Sequence, residues 1–307
     1  MEINEKLNRF MEAVFMVAVV GILIFASDIS ILSLGMIPIL FTSYIFTNSF
    51  FRFAMIFVAS AIVSFLYMDV IDSLILFGLL FLISLVFYLA IKYIKSDKKQ
   101  IITGAIIFSL IFVGLYAYGM QKEGVSLELL AREVKEIFEK NLDYKLYLEV
   151  YKLSLILYPS MLAFFSFIYA LFGLKLIRNY ASIKTGNFKD LSGINEIRIE
   201  KRDIFAIIGL LALIYCIAYM CKLNLTYVKI NILLILIEIL ALNGFSAYDY
   251  IIAKSNLPLS RGFQWFFIII LLQFLLVLFI ILGFIDIILD VRKKRSLYEK
   301  QRWVCGK

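Results

Sequence analysis

The chain has 307 residues, of which 63% are hydrophobic and only 18% are charged, with a formal net charge of +8. The apolar residues form long stretches between short charged connections, which excludes a soluble domain that folds alone and indicates a polytopic integral membrane protein. Histidine is absent, which excludes His-dependent catalytic triads, imidazole proton relays and His-ligated metals.

Nine apolar stretches are candidates for crossing about 30 Å of hydrocarbon, which takes roughly 20 helical residues. We predict transmembrane helices over residues 10–27, 29–47, 53–67, 71–94, 101–120, 146–177, 204–221, 227–253 and 265–289. The third is short, and the sixth is long enough to be tilted or to leave the bilayer. Pro38 in the second and Pro159 in the sixth are expected to kink or break their helices. Broken helices often border binding sites in transporters, although tolerated kinks are commoner.

The connection between the fifth and sixth predicted spans has the pattern of an amphipathic helix, near residues 122–145. Its apolar residues recur at helical spacing among acidic and basic ones; they are Leu127, Leu130, Val134, Ile137 and Leu142. We expect this helix to rest on the membrane interface or to continue the sixth span. The functional alternative is that this helix is a lid or docks a partner protein.

Basic residues orient the chain. The connection after the fourth span and the loop 179–202 are both basic, so the positive-inside rule places them, and with them the N-terminus, in the cytoplasm. The tail 291–307 is basic too, yet three predicted spans separate it from that loop. Either the tail is an exception to the rule, or one of the last three segments is re-entrant or lies along the surface. The eighth span is the weakest of the three, because Glu238 and Asn243 interrupt it. We expect a cytoplasmic tail in the bacterial cytoplasmic (inner) membrane, with anionic lipid at the basic loops.

The three cysteines form no CxxC pair, which argues against a disulfide framework and a metal site. Cys216 is expected to be buried as a small apolar residue within the seventh span, with Cys221 at its edge. Cys305 lies in the polar tail.

The polar residues of the last predicted spans are the candidates for function. Glu238 lies near the middle of the eighth span, where a carboxylate costs on the order of 2.5–3.5 kcal/mol unless it is protonated, paired or hydrated. Asn231 and Asp249 share its helical face. Asn243 interrupts the same span, and Gln273 in the ninth is a possible hydrogen-bonding neighbour. These side chains either line a substrate or proton path or hold helices together.

Two acids near the end of the ninth span, Asp286 and Asp290, are followed by Arg292 and are expected to form salt bridges at the membrane interface. The chain contains no GxxxxGK[ST], GxSxG or GxGxxG motif. It therefore has no phosphate-binding loop to energise transport. We expect no enzymatic activity, no cofactor and no metal.

Two motifs in the last third of the chain carry a family resemblance. Asn231 and Gly244 form an Asn-x12-Gly pattern, and Leu282 to Arg292 read Leu-Gly-Phe-Ile-Asp-x3-Asp-Val-Arg. This looks like the C-terminal signature of the YybS-like family of predicted bacterial membrane proteins, which implies no established activity. The N-terminal half is loosely similar to the six-helix substrate-capture subunits of energy-coupling-factor vitamin transporters, although no vitamin-binding motif appears between Met1 and Arg178.

The sequence thus predicts an all-α membrane protein of eight to nine transmembrane helices plus one amphipathic helix. Its parts would be a six-helix bundle over 1–178, the basic loop 179–202, a three-segment bundle over 203–290 and the tail 291–307. The expected function is to bind or permeate a small molecule, with energy supplied by a partner protein. The alternative is a non-transporting scaffold or regulator that engages anionic lipid or a cytoplasmic protein. No nucleic-acid partner is expected.

Overall fold

The structure, a computed structural model, describes residues 2–28, 30, 32–48, 50–122, 144–186, 188, 191, 193–222, 224–253, 263, 266, 270, 272–289 and 292. Over these residues it contains nine α-helices. They are α1 (Glu2–Phe25), α2 (Leu32–Thr47), α3 (Phe50–Ser64), α4 (Val70–Tyr93), α5 (Asp97–Lys122), α6 (Tyr144–Thr185), α7 (Lys201–Met220), α8 (Leu225–Ala253) and α9 (Leu272–Leu289). Nearly all of the predicted amphipathic helix near 122–145 lies outside the described residues.

The helices match the predicted spans in order, and the all-helical membrane architecture is confirmed for the described chain. Five helical segments are long and apolar enough to cross a membrane: Val70–Tyr93, Asp97–Gly119, Ile156–Thr185, Lys201–Met220 and Leu225–Ala253. Four more are apolar but shorter: Phe10–Phe25, Leu32–Thr47, Phe50–Ser64 and Phe274–Leu289. The count of eight to nine full crossings stays a prediction. The first residues predicted as basic loop, 179–185, belong to α6.

The contacts divide the chain into two compact units. The first comprises Met1–Leu110 and Ser166–Leu191, and the second comprises Ile111–Phe165 and Ser192–Lys307. This grouping differs from the division at residue 178 that the sequence suggested, because the contacts assign the first part of α6 to the C-terminal unit. The functional candidates of α8 and α9 all belong to the second unit.

The first unit has an aromatic core between α1, α2, α3 and α4. Phe41 of α2 packs edge-on against Phe53 of α3 at 5.7 Å between ring centroids, and Phe57 meets Phe77 of α4 at 5.3 Å. Edge-to-face pairs at such distances are favourable beyond the area that they bury. The many Phe residues of the chain therefore serve, in this unit, to fix helix packing.

Two polar contacts of the first unit satisfy groups that the bilayer could not. The Tyr169 hydroxyl donates to the Gly35 carbonyl at 2.8 Å, and the Thr42 hydroxyl donates to the Pro38 carbonyl at 2.7 Å. Pro38 lies inside α2 and removes a backbone donor. Both hydroxyls thus find acceptors on the α2 backbone, since a hydroxyl without a partner is costly in hydrocarbon. The predicted break at Pro38 does not occur, because α2 continues through it.

An ion pair of the first unit joins α5 to α6. Arg178 donates to Asp97 at 2.6 Å and to the Gln100 side-chain oxygen at 3.4 Å, and Gln100 in turn donates to the Ile94 carbonyl at 2.6 Å. The pair thereby ties the turn between α4 and α5 to α6.

In the second unit, α7 and α8 form a helical hairpin, and the sequence explains where each of the two helices begins. At the start of α7, Glu200 and Asp203 make a reciprocal capping box. After α7, Lys222 adopts a left-handed φ of 55°. The Asn224 side chain then accepts hydrogen bonds from the backbone N–H groups of Thr226 and Tyr227, which caps α8.

The helices α8 and α9 approach closely at two glycines. A Cβ atom on Gly244 would overlap the Phe279 carbonyl oxygen, and one on Gly283 would overlap the Leu240 carbonyl oxygen. The Phe279 ring also contacts Tyr248, at 5.6 Å. As residue numbers rise along α8 they fall along α9, so the two helices are antiparallel. Small residues permit such contact between helix backbones in membranes.

The prediction that Cys216 is buried was wrong. Both Cys216 and Cys221 are exposed. The buried positions of α7 are Leu211 and Ala218, and at about 100° per residue Cys216 lies far around the helix from both. Apolar character alone does not decide which side of a membrane helix faces protein and which faces lipid.

Candidate functional site

Polar side chains of α8 define the candidate site. Asn231, Asn243 and Asp249 are buried, with exposed fractions of 6%, 1% and 3%, whereas Glu238 is half-buried. These residues were predicted to form or adjoin one stripe. The structure instead gives them separate surroundings.

Asn231 bonds to α6 next to a proline. The Ser160 N–H donates to Asn231 Oδ1 at 3.1 Å, and Asn231 Nδ2 donates to the Ile156 carbonyl at 2.8 Å. In an uninterrupted α-helix the N–H of residue 160 donates to the carbonyl of residue 156. Asn231 therefore bonds both members of a helical pair that flanks Pro159, where the backbone lacks a donor. The predicted break does not occur, since α6 continues through Pro159 as one helix, and the predicted polar residue of the eighth span bonds α6 at this proline.

Glu238 lies two helical turns after Asn231 on nearly the same face of α8. Its carboxylate forms no hydrogen bond and no ion pair with the residues that the structure describes. It is also not enclosed, since it is only half-buried. Of the polar candidates in the described part of α8, it is the one whose side chain remains available to another molecule.

Of three other candidates, Asp249 lies away from Glu238 and two cannot be placed. Asp249 is buried about 16 Å farther along α8, by the rise of 1.5 Å per residue. The side chain of Gln273, in the first turn of α9, and the whole of Asp290 lie outside the described residues. Along α8 between Glu238 and Asp249, a second polar group surrounds Arg292.

That second group, called here the Arg292 cluster, consists of Asn243, Ser246, Asp286 and Arg292. Arg292 pairs with Asp286 at 2.7 Å and donates to Asn243 Oδ1 at 2.8 Å and to the Ser246 hydroxyl at 2.8 Å. The side chains of Arg292 and Asp286 are only 6% and 2% exposed. Asn243 Nδ2 also donates to the Gly283 carbonyl at 3.2 Å. The cluster therefore fastens the same α8–α9 contact that the two glycines make.

The Arg292 cluster also holds the connection that precedes α7. Arg292 donates to the carbonyl oxygens of Ile197, at 3.0 Å, and Asn195, at 3.4 Å. The Ile199 N–H donates to Asn243 Oδ1 at 3.1 Å. Arg292 thus lies beside the residues that lead into α7. The predicted pair Asp286–Arg292 is present, but it is buried and bonded to the backbone of a distant segment.

The antiparallel register shows how far the described part of α9 reaches. Gly283 lies level with Leu240, and the described part of α9 continues for six more residues, to Leu289. The first residue of α8, Leu225, lies about 13 Å beyond that level by helical rise.

Sequence reasoning missed Ser160 and Ser246, which bond to Asn231 and Arg292 respectively. The proline immediately before Ser160 is a usable signal, because the backbone beside a proline needs an external partner in a membrane. Ser246 offers no comparable signal, since buried serines are common in membrane helices. Among the described residues no group of three Cys, Asp or Glu side chains could hold a metal ion.

Comparison with known proteins identifies a family but no activity. The family described as "Predicted membrane protein (DUF2232)" matches residues 13–287. No curated protein and no solved structure matches the chain. The family match spans every helix described above apart from the ends of α1 and α9, including the Asn231, Glu238 and Asp286 positions. The chain therefore belongs to the DUF2232 family of predicted membrane proteins.

Proposed function

We propose that the α8 face bearing Asn231 and Glu238 binds a small molecule within the membrane, and that the protein permits its passage with energy supplied by a partner protein. The observation that carries this proposal is the Glu238 carboxylate, which lies in a membrane-length helix without a partner among the described residues. A carboxylate at such depth needs a proton, a cation, a hydrogen-bond donor or water. A ligand that offers positive charge or hydrogen-bond donors fits this requirement.

The contact of Asn231 with α6 supports the same site. Asn231 bonds the backbone of α6 on both sides of Pro159, and Glu238 lies two turns farther along on nearly the same face of α8. A polar ligand at Glu238 would therefore lie roughly 10 Å along α8 from a helix position where proline has removed a backbone donor. The loose similarity of the N-terminal half to the substrate-capture subunits of energy-coupling-factor vitamin transporters agrees with a binding function that takes its energy from a partner, whereas the likeness to YybS-like proteins implies no activity.

Glu238→Gln tests the proposal directly. The replacement keeps the volume and the hydrogen-bonding capacity but removes charge and titration. We expect the variant to reach wild-type abundance, with a free energy of unfolding within about 1 kcal/mol of wild type, because no described partner is lost. We expect it to fail to restore any growth phenotype that deletion of the gene produces.

The matched control is Glu196→Gln, the same chemical change in the connection before α7. It should restore growth like the wild type. Full restoration by Glu238→Gln would remove the residue on which the proposal depends. A general loss of abundance in Glu238→Gln would contradict the expectation that its carboxylate has no structural partner.

A scaffold or regulator that holds anionic lipid or a cytoplasmic protein is the second candidate. Its support is that Asn231, Asn243 and Asp286 all bond to the protein itself and so hold helices together. In that case Glu238→Gln would restore growth like the wild type. Variants that lack basic residues of the connection or the tail would fail to restore it.

We also propose that the tail lies on the cytoplasmic side with the N-terminus, in a bacterial cytoplasmic membrane. The basic connection before α7 is cytoplasmic by the positive-inside rule. Arg292 bonds to carbonyl oxygens of that connection and to Ser246 in the second half of α8, so it lies nearer the start of α7 than the turn between α7 and α8. A tail that begins beside the connection emerges on its side. This arrangement makes α9 re-entrant rather than a full crossing.

Cys305 supplies a test of this topology. Because Cys216 and Cys221 are both exposed, the background variant is Cys216→Ser with Cys221→Ser, which leaves one thiol. A membrane-impermeant maleimide should leave Cys305 unlabelled in intact cells and should label it once the cells are opened. A single cysteine placed on an outward-facing tag serves as the positive control. Labelling in intact cells would place the tail outside and make α9 a full crossing.

A further inference from the structure

A groove in the first unit lies between α1 and α3, apart from the polar residues of α8. Its volume is about 750 Å³, and the Tyr67 hydroxyl is the one polar side-chain group among its thirteen lining residues. Small residues on both helices form its floor, including Ala13, Gly21 and Ala59. The volume falls within the roughly 300–1,000 Å³ typical of ligand sites. Its lining selects an apolar occupant.

The groove opens away from the core of the unit. Phe10, Ile22 and Met55 on its walls are 60–66% exposed, whereas the aromatic core lies on the other side of α1 and α3. In a membrane the open side faces hydrocarbon. An occupant can therefore enter from the bilayer without crossing water.

The dimensions of the groove suit a hydrocarbon chain. The lining covers fifteen residue steps of α1, from Phe10 to Phe25, which is roughly 20 Å by helical rise. Spread over that length, 750 Å³ is a cross-section of about 40 Å². A long, shallow and wholly apolar channel of this size accommodates one extended chain along its length.

A basic side chain lies at one end of the groove. The contacts Gly21–Val63 and Phe25–Tyr67 show that α1 and α3 run parallel, so Arg52 is level with Phe10. Arg52 precedes Met55 and Ile56 by three and four residues, which puts it on the groove face of α3. Its Nη1 donates to Asn48 Oδ1 at 3.2 Å, and its other donors bond no residue that the structure describes. A guanidinium with free donors recognises phosphate.

We propose that the α1/α3 groove binds one acyl chain of a membrane phospholipid, with the lipid phosphate at Arg52. The chain would lie on the floor of small residues and extend toward the Phe25–Tyr67 ring pair. The groove length of roughly 20 Å exceeds half of the bilayer's ~30 Å hydrocarbon core. It therefore accommodates a chain that starts at one interface and reaches the midplane. This site is independent of the ligand proposed for Glu238.

Native mass spectrometry of the full chain in mild detergent tests the proposal. Delipidated protein is mixed with phosphatidylglycerol and, separately, with a diacylglycerol that has the same chains but no phosphate. Wild type should retain one phosphatidylglycerol per chain. Ala59→Phe and Ala18→Phe both fill the groove and should abolish retention of both lipids. Arg52→Gln should weaken phosphatidylglycerol about tenfold, the value of one charge-assisted hydrogen bond, and leave diacylglycerol unchanged.

Gly78→Phe is the matched control, since Gly78 is exposed on α4 and a Cβ there would meet nothing within 4 Å. It should bind lipid like wild type. Monodisperse elution identifies the variants that fold. Two groove variants are used so that the test still holds if one of them does not fold. Unchanged lipid retention in a folded groove variant would overturn the proposal. A wild-type dimer that Ala59→Phe dissociates would also overturn it, because the occupant would then be a second copy.

Discussion

Replacing Gly283 with alanine is expected to separate α9 from α8 and to abolish the stable fold of the second unit. The added Cβ would overlap the Leu240 carbonyl oxygen and would lie 2.9 Å from the Gly244 nitrogen. Both are backbone atoms of α8, so no side chain can rotate to make room. Overpacking of this kind costs typically 1–3 kcal/mol and more where the backbone must move. We expect about 3 kcal/mol or more, measured as a lowered midpoint of thermal unfolding in detergent.

Gly209→Ala is the matched control for this effect. Gly209 lies in α7, and a Cβ there would meet nothing within 4 Å. Alanine forms helix better than glycine by roughly 1 kcal/mol, so this variant should be at least as stable as wild type. If Gly283→Ala unfolds at the same temperature as Gly209→Ala, the close crossing of α8 and α9 is wrong.

The order of the helices was predictable because a hydrocarbon solvent imposes one simple requirement. Every backbone polar group must be satisfied within its segment, and long apolar stretches therefore become helices. The ends of helices were harder to predict, since charged residues continue a helix past the membrane. Thus α6 continues through Arg178 to Thr185, where the sequence suggested a loop.

Composition did not predict which side of each helix contacts protein and which contacts lipid. Lipid is as apolar as a protein core, so the side of α7 that contacts protein is not more hydrophobic than the side that contacts lipid. Cys216 illustrates this limit. The same limit does not apply to α8, because the cost of placing Asn231, Asn243 and Asp249 in hydrocarbon directs them inward.

The candidate site was predictable in its residues but not in their partners. Gly244, Gly283, Asp286 and Arg292 of the two motifs converge with Asn243 at one helix crossing, and spacing along the sequence gave no sign of that. Arg292 reaches carbonyl oxygens almost a hundred positions earlier in the chain. Such long-range bonds depend on how helices pack, which the sequence of one helix does not specify.

The second large effect is expected from breaking the Arg292–Asp286 pair. Arg292→Gln should leave the Asp286 carboxylate buried without a counter-ion, at an exposed fraction of 2%. One carboxylate oxygen, Oδ1, already lacks a hydrogen bond among the described residues. Removing one partner of a buried pair costs about 3–5 kcal/mol, because the remaining charge is uncompensated. Thermal unfolding in detergent should show a loss comparable to that of Gly283→Ala.

A double-mutant cycle separates this pair from general damage to the helix end. Asp286→Asn combined with Arg292→Gln removes both charges, and its loss should be smaller than the two single losses added together. Arg292→Lys should remain well below wild type, because one ammonium cannot reach Asp286, Asn243, Ser246 and the Ile197 carbonyl in the geometry of a planar guanidinium. Lys201→Gln is the control, since Lys201 is exposed at the start of α7, and it should change stability by less than about 0.5 kcal/mol. Additive losses in the cycle would show that Arg292 and Asp286 do not interact. The Arg292 cluster would then no longer account for the position of Arg292 beside the connection to α7.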